Sequence, residues 1–343
     1  MSRTTYFRAT AAAAAALFTI GGLAGCAASE QSAGSPEGDF EIIYTAGAKL
    51  VTDWDVYVAE DQGFFEDHGV HVENVSTDTA EGATQLLVTG EAHIGRGLPP
   101  MIQATVKSNG GVKLLDVADT LIHPPFFMSV REGISSLDDL VGKNIGTSSH
   151  TDSTTVVTHG LLDRAGIDAA DVEIVTAGGT ASRFAGLESG ALDASALLPP
   201  INYTAEENGF ASLGYLPDLA EDGFPFAFAG VIVNPDWAEA NREALVAYLK
   251  ARGDALEFLA DPANRDEAIR ILAEATDTEV EIAERTYDDL HIGTDKSAFN
   301  SQIGVHPEAS EGVLIGLQKA GLAPEDLTID GLVDDSYAAE ARG

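Results

Sequence analysis

Residues 40–75, FEIIYTAGAKLVTDWDVYVAEDQGFFEDHGVHVENV, decide the fold of this chain. The stretch opens with a β-type run at 41–45, continues with a helical pattern over 55–68 and closes with a second β-type run at 70–75. Short runs rich in β-branched and aromatic residues favour strands, and the longer segment between them favours a helix. This order predicts a parallel βαβ unit of an α/β protein.

The alternation of strands and helices continues on the C-terminal side of this unit. Further strands are predicted at residues 92–95, 112–117, 144–147, 172–175 and 192–197. Further helices are predicted at residues 80–88, 100–108, 153–165, 181–189 and 201–207. Two extended runs, 125–131 and 224–233, divide the alternation into two groups. The chain is therefore expected to leave a first lobe, build a second and return.

After residue 234 the pattern becomes helical alone. Asn234 followed by Pro235 is typical of a helix start, because the Asn side chain caps free N–H groups and proline fits the first turn. One helical face is formed by Leu245, Tyr248, Leu249, Leu256 and Leu259, and further helices are predicted at residues 265–274, 280–290 and 307–320. These C-terminal helices are expected to wrap the first lobe.

The length of the chain also indicates two lobes, since 343 residues exceed what a single hydrophobic core usually holds. The predicted organisation is a signal peptide over 1–25, a flexible tether over 26–38, lobe 1 over 39–127, lobe 2 over 128–229 and the return of lobe 1 over 230–343.

The N-terminus has the layout of a secretory signal. Arg3 and Arg8 precede an uncharged stretch over 9–24, which is short for a membrane-spanning helix. The stretch ends in Leu-Ala-Gly-Cys26, which resembles the lipobox of bacterial lipoproteins, where the cysteine receives lipid. Cys26 is the single cysteine of the chain, which excludes an intrachain disulfide. We expect a lipid-anchored protein on the extracytoplasmic face of the cell membrane; the alternative for Cys26 is a buried small side chain.

The chain is strongly acidic, with 55 Asp and Glu against 19 Lys and Arg and a formal net charge of −36. Such a surface repels phosphate backbones and anionic headgroups, so nucleic acid and peripheral lipid are not expected as partners. Solubility explains the excess, and a cationic partner is the alternative.

The order of short motifs resembles one family of transport receptors. The motifs lie at residues 56–60, 63–66, 69–72, 86–90, 94–100, 134–146, 187–200, 261–268 and 334–337. This order is similar to that of the solute-binding proteins for nitrate, taurine, alkanesulfonates and thiamine pyrimidine precursors, the NMT1/THI5-like family.

The resemblance implies an α/β protein with the type II periplasmic-binding fold, namely two lobes with a central cleft and C-terminal helices. It also implies closure of the lobes on a small solute, which is delivered to an ABC permease driven by its ATPase. We expect a monomer without a cofactor.

Ligands of open α/β sheets sit beyond the carboxyl ends of the strands, and this rule selects the candidate site residues. Trp54 follows the first strand and can stack on a flat ligand, although core filling suits it as well. Arg96 and Gly97 follow the strand at 92–95. The guanidinium of Arg96 can clamp a carboxylate, sulfonate or phosphate, or it can pair with a surface acid.

The loop over 148–155 is the richest in hydroxyl groups. Ser148, Ser149, Thr151 and Ser153 precede and open a helix, so their hydroxyls and the free backbone N–H groups can bind an anion or a polar group. Asp152 or Ser153 is expected to cap the helix. An aspartate here opposes a fully anionic ligand, which keeps neutral or zwitterionic cargo open.

The remaining candidates follow the later strands. Thr180 opens a helix after a strand, with Arg183 just inside it and expected in solvent. Pro199 and Tyr203 lie after the strand at 192–197, where Tyr203 offers a ring or only packs the lobe. Phe226 lies in the second extended run and suits a flat or partly apolar compound. The histidines lack the spacing of a metal site.

The chain lacks the sequence signatures of common enzyme sites. It has no phosphate-binding loop, no His-Glu-x-x-His and no Gly-x-Ser-x-Gly. We therefore expect a receptor and no enzyme, with a sulfonate, a carboxylate or an aromatic or pyrimidine compound as cargo. The alternative is an enzyme or sensor on the same scaffold, such as a relative that makes thiamine pyrimidine, although the cysteine-rich motif of those relatives is missing.

Overall fold

The computed structural model describes residues 39–46, 50–77, 80–108, 110–150 and 152–343. All of these residues belong to one compact unit, Pro36–Gly343. The predicted signal peptide, the tether, Cys26 and Thr151 lie outside the described residues.

The described residues contain ten strands and thirteen α-helices. The strands are β1 (Phe40–Ala46), β2 (Val70–Ser76), β3 (Ile94–Gly95), β4 (Leu115–Leu121), β5 (Phe127–Val130), β6 (Asn144–Thr147), β7 (Glu173–Thr176), β8 (Ala194–Leu197), β9 (Ala211–Tyr215) and β10 (Ala229–Val233). The helices are α1 (Trp54–Asp61), α2 (Phe64–Asp67), α3 (Ala80–Thr89), α4 (Leu98–Lys107), α5 (Ser153–Arg164), α6 (Thr180–Ser189), α7 (Ile201–Glu207), α8 (Pro235–Ala240), α9 (Arg242–Ala260), α10 (Arg265–Thr276), α11 (Val280–Asp289), α12 (Pro307–Lys319) and α13 (Ser336–Arg342).

The strands form two five-stranded sheets of related topology. The first has the order β2-β1-β3-β10-β4, and the second has the order β7-β6-β8-β5-β9. In the first sheet β1 runs parallel to β2 and β3, whereas β10 runs antiparallel to β3 and β4. In the second sheet β6 runs parallel to β7 and β8, whereas β5 runs antiparallel to β8 and β9.

We refer to the first sheet with the helices packed on it as lobe 1 and to the second sheet with its helices as lobe 2. Residues 234–343, which follow β10, are called the C-terminal segment. The residue boundaries given to the lobes from the sequence remain a proposal.

One predicted helix is divided in the structure. The sequence predicts a single helix over 55–68, but Gly63 has a φ of 76° and ends α1 before α2 begins. This left-handed conformation suits glycine because it lacks a Cβ atom. The turn reverses the chain so that Phe65 packs against Tyr248 of α9, with ring centroids 5.4 Å apart.

The two predicted extended runs contain strands as well as crossings. Residues 125–131 include β5 of the second sheet, and residues 224–233 include β10 of the first. The crossings themselves pair with each other, since Phe226 N donates to Ile122 O at 2.9 Å and Phe228 N donates to Leu121 O at 2.8 Å. The two connections between the lobes therefore form one hydrogen-bonded strip.

Helix α12 lies tightly against this strip. A Cβ atom at Gly312 would lie 2.0 Å from the Pro225 carbonyl oxygen, and one at Gly316 would lie 2.7 Å from a methyl carbon of Val156 in α5. Both glycines allow a close approach that any larger residue would prevent. The helix thus contacts the crossing and lobe 2 at once.

The core of lobe 1 contains a buried ion pair. Arg252 of α9 donates to the Asp55 carboxylate of α1 at 2.7 Å, and both side chains are almost fully buried. Arg252 also donates to the Tyr248 hydroxyl at 2.7 Å. Since a buried charge is costly unless it is paired and hydrogen-bonded, the pair fixes how α1 docks on α9.

Candidate functional site

A small cavity lies where loops from the two lobes meet the C-terminal segment. Leu50 and Val51 line it from the loop after β1, and Pro199 and Pro200 line it from the loop after β8. Five residues of the region 272–286 complete the wall. Its volume is about 40 Å³, which suits a group of a few atoms. We call it the lobe-boundary cavity.

Arg96 is held in an ion pair on the lobe 1 side. Its guanidinium donates to the Asp53 carboxylate and to the Thr52 hydroxyl. The Tyr44 hydroxyl donates to the other Asp53 oxygen at 2.6 Å. The Arg96 side chain is 17% exposed and that of Asp53 is 4% exposed.

The electrostatics of this pair favour two compensating charges. Burial lowers the pKa of Arg96, but the interactions with Asp53, Tyr44 and Tyr57 together outweigh it and the net shift is upward. The cation therefore persists beside its internal counter-ion. An external anion would have to compete with Asp53, a residue that the sequence did not mark as part of the site.

Trp54 has no face open to a ligand. Its side chain is fully buried, and its indole N–H donates to the Ala268 carbonyl at 3.0 Å. The rings of Tyr287 and Phe299 pack edge-on against it at centroid distances of 6.0 and 6.3 Å. The structure thus corrects the ligand-stacking role and supports core filling, because α10 and α11 cover the start of α1.

The hydroxyl-rich loop before α5 is stabilised by its own hydrogen bonds. Asp152 caps the helix by accepting from Thr154 N at 2.7 Å, which supports one of the two predicted caps. Ser148 N donates to the Thr154 hydroxyl at 2.8 Å, and the Thr155 hydroxyl donates to Ser149 O. Ser153 is the first residue of α5 and half-buried.

Arg183 is buried, which makes the prediction of a solvated side chain wrong. It is 1% exposed and donates to Gly178 O at 2.8 Å, Ala196 O at 3.0 Å and the Ser195 hydroxyl at 3.2 Å. None of the ion pairs in the described part of the chain includes it. Burial lowers its pKa to about 10, and the charge of Asp152 acts in the opposite direction.

The contacts of Arg183 connect the turn before α6 to β8. One of its nitrogens also donates to the Thr180 hydroxyl at 3.3 Å, which fixes the Thr180 side chain at the start of α6. The side chain thus connects the turn that follows β7 to strand β8 in lobe 2. It cannot itself touch a solute without leaving this position.

The last four predicted site residues have different surroundings. Tyr203 is 1% exposed, and the Arg285 guanidinium lies 4.2 Å above its ring centroid. Phe226 is 1% exposed and packs against Phe224 and Phe228 within the crossing. Pro199 lines the lobe-boundary cavity, and the Pro199–Pro200 bond is cis. Gly97 is buried, has a φ of 98° and precedes α4.

Three threonines of the C-terminal segment also line the cavity, and the sequence did not mark them. They are Thr276 at the end of α10, Thr278 in the following turn and Thr286 in α11. The sequence places these helices on lobe 1, but it carries no signal that one face of them reaches the cleft.

Among the described residues, two ion pairs and one histidine–carboxylate contact connect the C-terminal segment to lobe 2. Arg285 pairs with Glu206, His291 lies 3.1 Å from the Asp218 carboxylate, and Lys319 lies 2.8 Å from the Asp163 carboxylate. In each of these pairs the basic partner belongs to the C-terminal segment and the acidic partner to lobe 2.

A family model described as NMT1/THI5 like matches residues 54–265, well over half of the chain. The chain belongs to the NMT1/THI5-like family. The resemblance found in the sequence is thereby confirmed. No curated protein sequence matches the chain.

Solved structures share the fold of this NMT1/THI5-like protein. The alkanesulfonate-binding protein SsuA from Xanthomonas axonopodis pv. citri, bound to MOPS, is 18% identical, with a TM-score of 0.67 over 88% of this chain and 99% of that one. The periplasmic nitrate-binding protein NrtA from Synechocystis PCC 6803 is 15% identical, with a TM-score of 0.69 over 90% and 89%. The desulfurization enzyme DSZB is 16% identical, with a TM-score of 0.62 over 88% and 99%.

These similarities confirm the predicted periplasmic-binding fold with its two α/β sheets. Among the described residues, no cluster of three or more His, Cys, Asp or Glu side chains is arranged to hold a metal ion. None of the described helices is both long and apolar enough to cross a membrane.

Proposed function

We propose that this NMT1/THI5-like protein is the extracytoplasmic solute-binding component of an ABC importer. It captures a small organic solute between its lobes and delivers it to the permease. The observation that carries the proposal is the lobe-boundary cavity, because its walls come from strand-end loops of both lobes. Contacts from both lobes are what allow a ligand to favour a closed form over an open one.

The proposed closing motion uses the two paired crossings. Hinges are short segments that absorb changes in backbone angles while the packed bodies on either side stay rigid. The strip formed by residues 121–122 and 226–228 joins the two sheets and contains few residues. A small rotation there opens or shuts the space between the strand-end loops.

The cellular setting follows from the N-terminal sequence. We place the mature chain on the extracytoplasmic face of the membrane, held by lipid on Cys26 and by the tether over 26–38. The proposed partners are the permease and its ATPase, and the receptor acts as a monomer. Replacing Cys26 by Ser should release the protein from membranes into the soluble fraction, and an unchanged membrane fraction would refute the anchor.

The receptor function is tested with the purified mature protein. We expect one small solute to copurify with the protein or to bind to it with micromolar or better affinity, and its binding should raise the unfolding temperature. The solute that is released when the protein is denatured should be chemically unchanged. Small-angle scattering should show a smaller radius of gyration with solute than without it. Mass spectrometry that finds no solute, together with no response across a broad compound library, would refute the receptor.

A second candidate is an enzyme on the same scaffold. The fold shared with the desulfurization enzyme DSZB is the observation that favours it. Under this alternative the solute recovered after incubation differs chemically from the solute added. Recovery of unaltered solute after many hours at saturation favours the receptor.

A further inference from the structure

The threonine hydroxyls that line the lobe-boundary cavity already donate hydrogen bonds to other groups of the protein. Thr276 donates to Leu272 O at 2.7 Å, and Thr286 donates to Ile282 O at 2.8 Å. The Thr276 and Thr278 hydroxyl oxygens lie 3.0 Å apart. Because Thr276 donates to its own helix, Thr278 is the donor in that contact. Each of the three hydroxyls therefore has only lone pairs left to offer.

The other side chains of this wall are apolar. They belong to leucine, valine, isoleucine and proline, so the lining side chains include neither a charge nor a spare hydrogen-bond donor. A negatively charged group that enters loses its hydration and meets acceptors, which is unfavourable. An N–H or O–H group finds acceptors instead, and its carbon neighbours find apolar contacts.

The positive charge of Arg96, the predicted anion-binding residue on the lobe 1 side, is already compensated by a counter-ion within the protein. Leu50 and Val51 of the cavity wall lead directly into Thr52 and Asp53, the two partners of Arg96. Asp53 is nearly fully buried, so its carboxylate occupies the guanidinium from inside the protein. The lobe 1 wall thus presents a neutral pair where a free arginine would attract an anion.

We propose that the solute inserts an uncharged, hydrogen-bond-donating group, such as an amide, amine or hydroxyl, into the lobe-boundary cavity. Asp53 is the specificity-determining residue that keeps Arg96 from recruiting anions. This assignment rests on the proposed receptor function, and it separates the protein from receptors of sulfonate or nitrate.

Methanesulfonamide and methanesulfonate form a matched probe pair, since they have nearly the same shape and differ in a donor group against a negative charge. Thermal shift and calorimetric titration of the full mature protein should show binding of the sulfonamide and none of the sulfonate. Binding of the sulfonate, or of neither probe, would overturn the assignment.

Two variants at threonines show whether the cavity is responsible. Thr286→Val keeps the side-chain shape and removes the acceptor, so sulfonamide affinity should fall about fivefold. Thr89→Val is the matched control, because the Thr89 hydroxyl also donates to a helix carbonyl, that of Gln85, but lies exposed on α3. An equal effect of both variants would overturn the assignment.

The role of Asp53 is tested with a variant of the protein that should gain the ability to bind an anion. Asp53→Asn still accepts from Tyr44 and leaves Arg96 without a counter-ion, so methanesulfonate should now bind. The double variant Asp53→Asn with Arg96→Gln should lose this binding and keep the response to sulfonamide, which also shows that it is folded. No gain of sulfonate binding in Asp53→Asn would remove Asp53 from the specificity argument.

The outcomes separate this inference from the receptor function. If the lobes close on a copurified anion, the receptor stands and the assignment of an uncharged donor falls. If no solute of any kind produces closure, the receptor itself falls.

Discussion

Replacement of Gly312 by alanine should destabilise the protein although alanine is the better helix former. Gly312 lies in the middle of α12, and a Cβ atom there would lie 2.0 Å from the Pro225 carbonyl oxygen. That oxygen belongs to the backbone of the crossing, so no side-chain rotation can relieve the clash. Helix α12 or the crossing must move.

The magnitude follows from two opposing effects. Alanine in place of glycine inside a helix stabilises by about 1 kcal/mol. Overpacking in a tight site costs about 1–3 kcal/mol, and a backbone contact belongs at the upper end of this range. The net loss in the free energy of unfolding is therefore about 2 kcal/mol.

Urea denaturation followed by circular dichroism measures this loss. The matched control is Gly253→Ala in α9, where the Cβ atom would lie 3.1 Å from a methyl carbon of Ile303, a group that can turn away. We expect the control to stay within about 0.5 kcal/mol of the wild type, because the propensity gain offsets the slight crowding. Equal stability of the two variants would refute the tight packing of α12 on the crossing.

The remaining predictions concern charge. Arg183→Met should lower the free energy of unfolding by about 2–4 kcal/mol, since it removes the donors that Arg183 supplies to the buried Ala196 carbonyl and the half-buried Gly178 carbonyl, and thermal unfolding checks this. Burial and the neighbouring Asp119 raise the pKa of Asp116 well above its ordinary range, so the stability it contributes is complete below that range and is lost as the pH rises through the folded-state pKa. Asp116→Asn should therefore flatten the decline of stability as the pH rises above the ordinary carboxyl range, and an unchanged slope would contradict the shift. Arg285→Ala breaks a half-exposed pair with Glu206, so it should cost under about 1 kcal/mol yet enlarge the solute-free radius in scattering.

The sequence predicts the parallel parts of both sheets well because their patterns are local. Strand β6 over 144–147 and helix α7 over 201–207 coincide with the prediction, and α5 differs by one residue. Strand β9 was missed because its residues 211–215 carry few strand formers and it pairs only with β5. Strand β4 was placed too early because Asp119 looks exposed in the sequence but is buried next to Asp116.

For the candidate site, the sequence selects strand-end loops but does not place their side chains. The rule for strand ends selects the loops that carry Arg96 and Pro199; Pro199 lines the lobe-boundary cavity, whereas Arg96 pairs with Asp53 on the lobe 1 side. The burial of Trp54 and Arg183 depends on helices and strands distant in the chain, which a local pattern does not contain. The three threonines that line the cavity are brought there by the fold of the C-terminal segment. No motif close to them in the sequence therefore predicts their position.

The uneven placement of charges in the contacts between the C-terminal segment and lobe 2 has a physiological consequence. Arg285 and Lys319 face carboxylates of lobe 2, while the chain as a whole carries −36. Dissolved ions screen the attraction between half-exposed charges over a distance of about 8 Å at physiological ionic strength. Under the proposed receptor function, solute capture should therefore weaken at high salt concentration even when the solute is neutral, so the salinity of the surroundings would change uptake through the conformation of the protein.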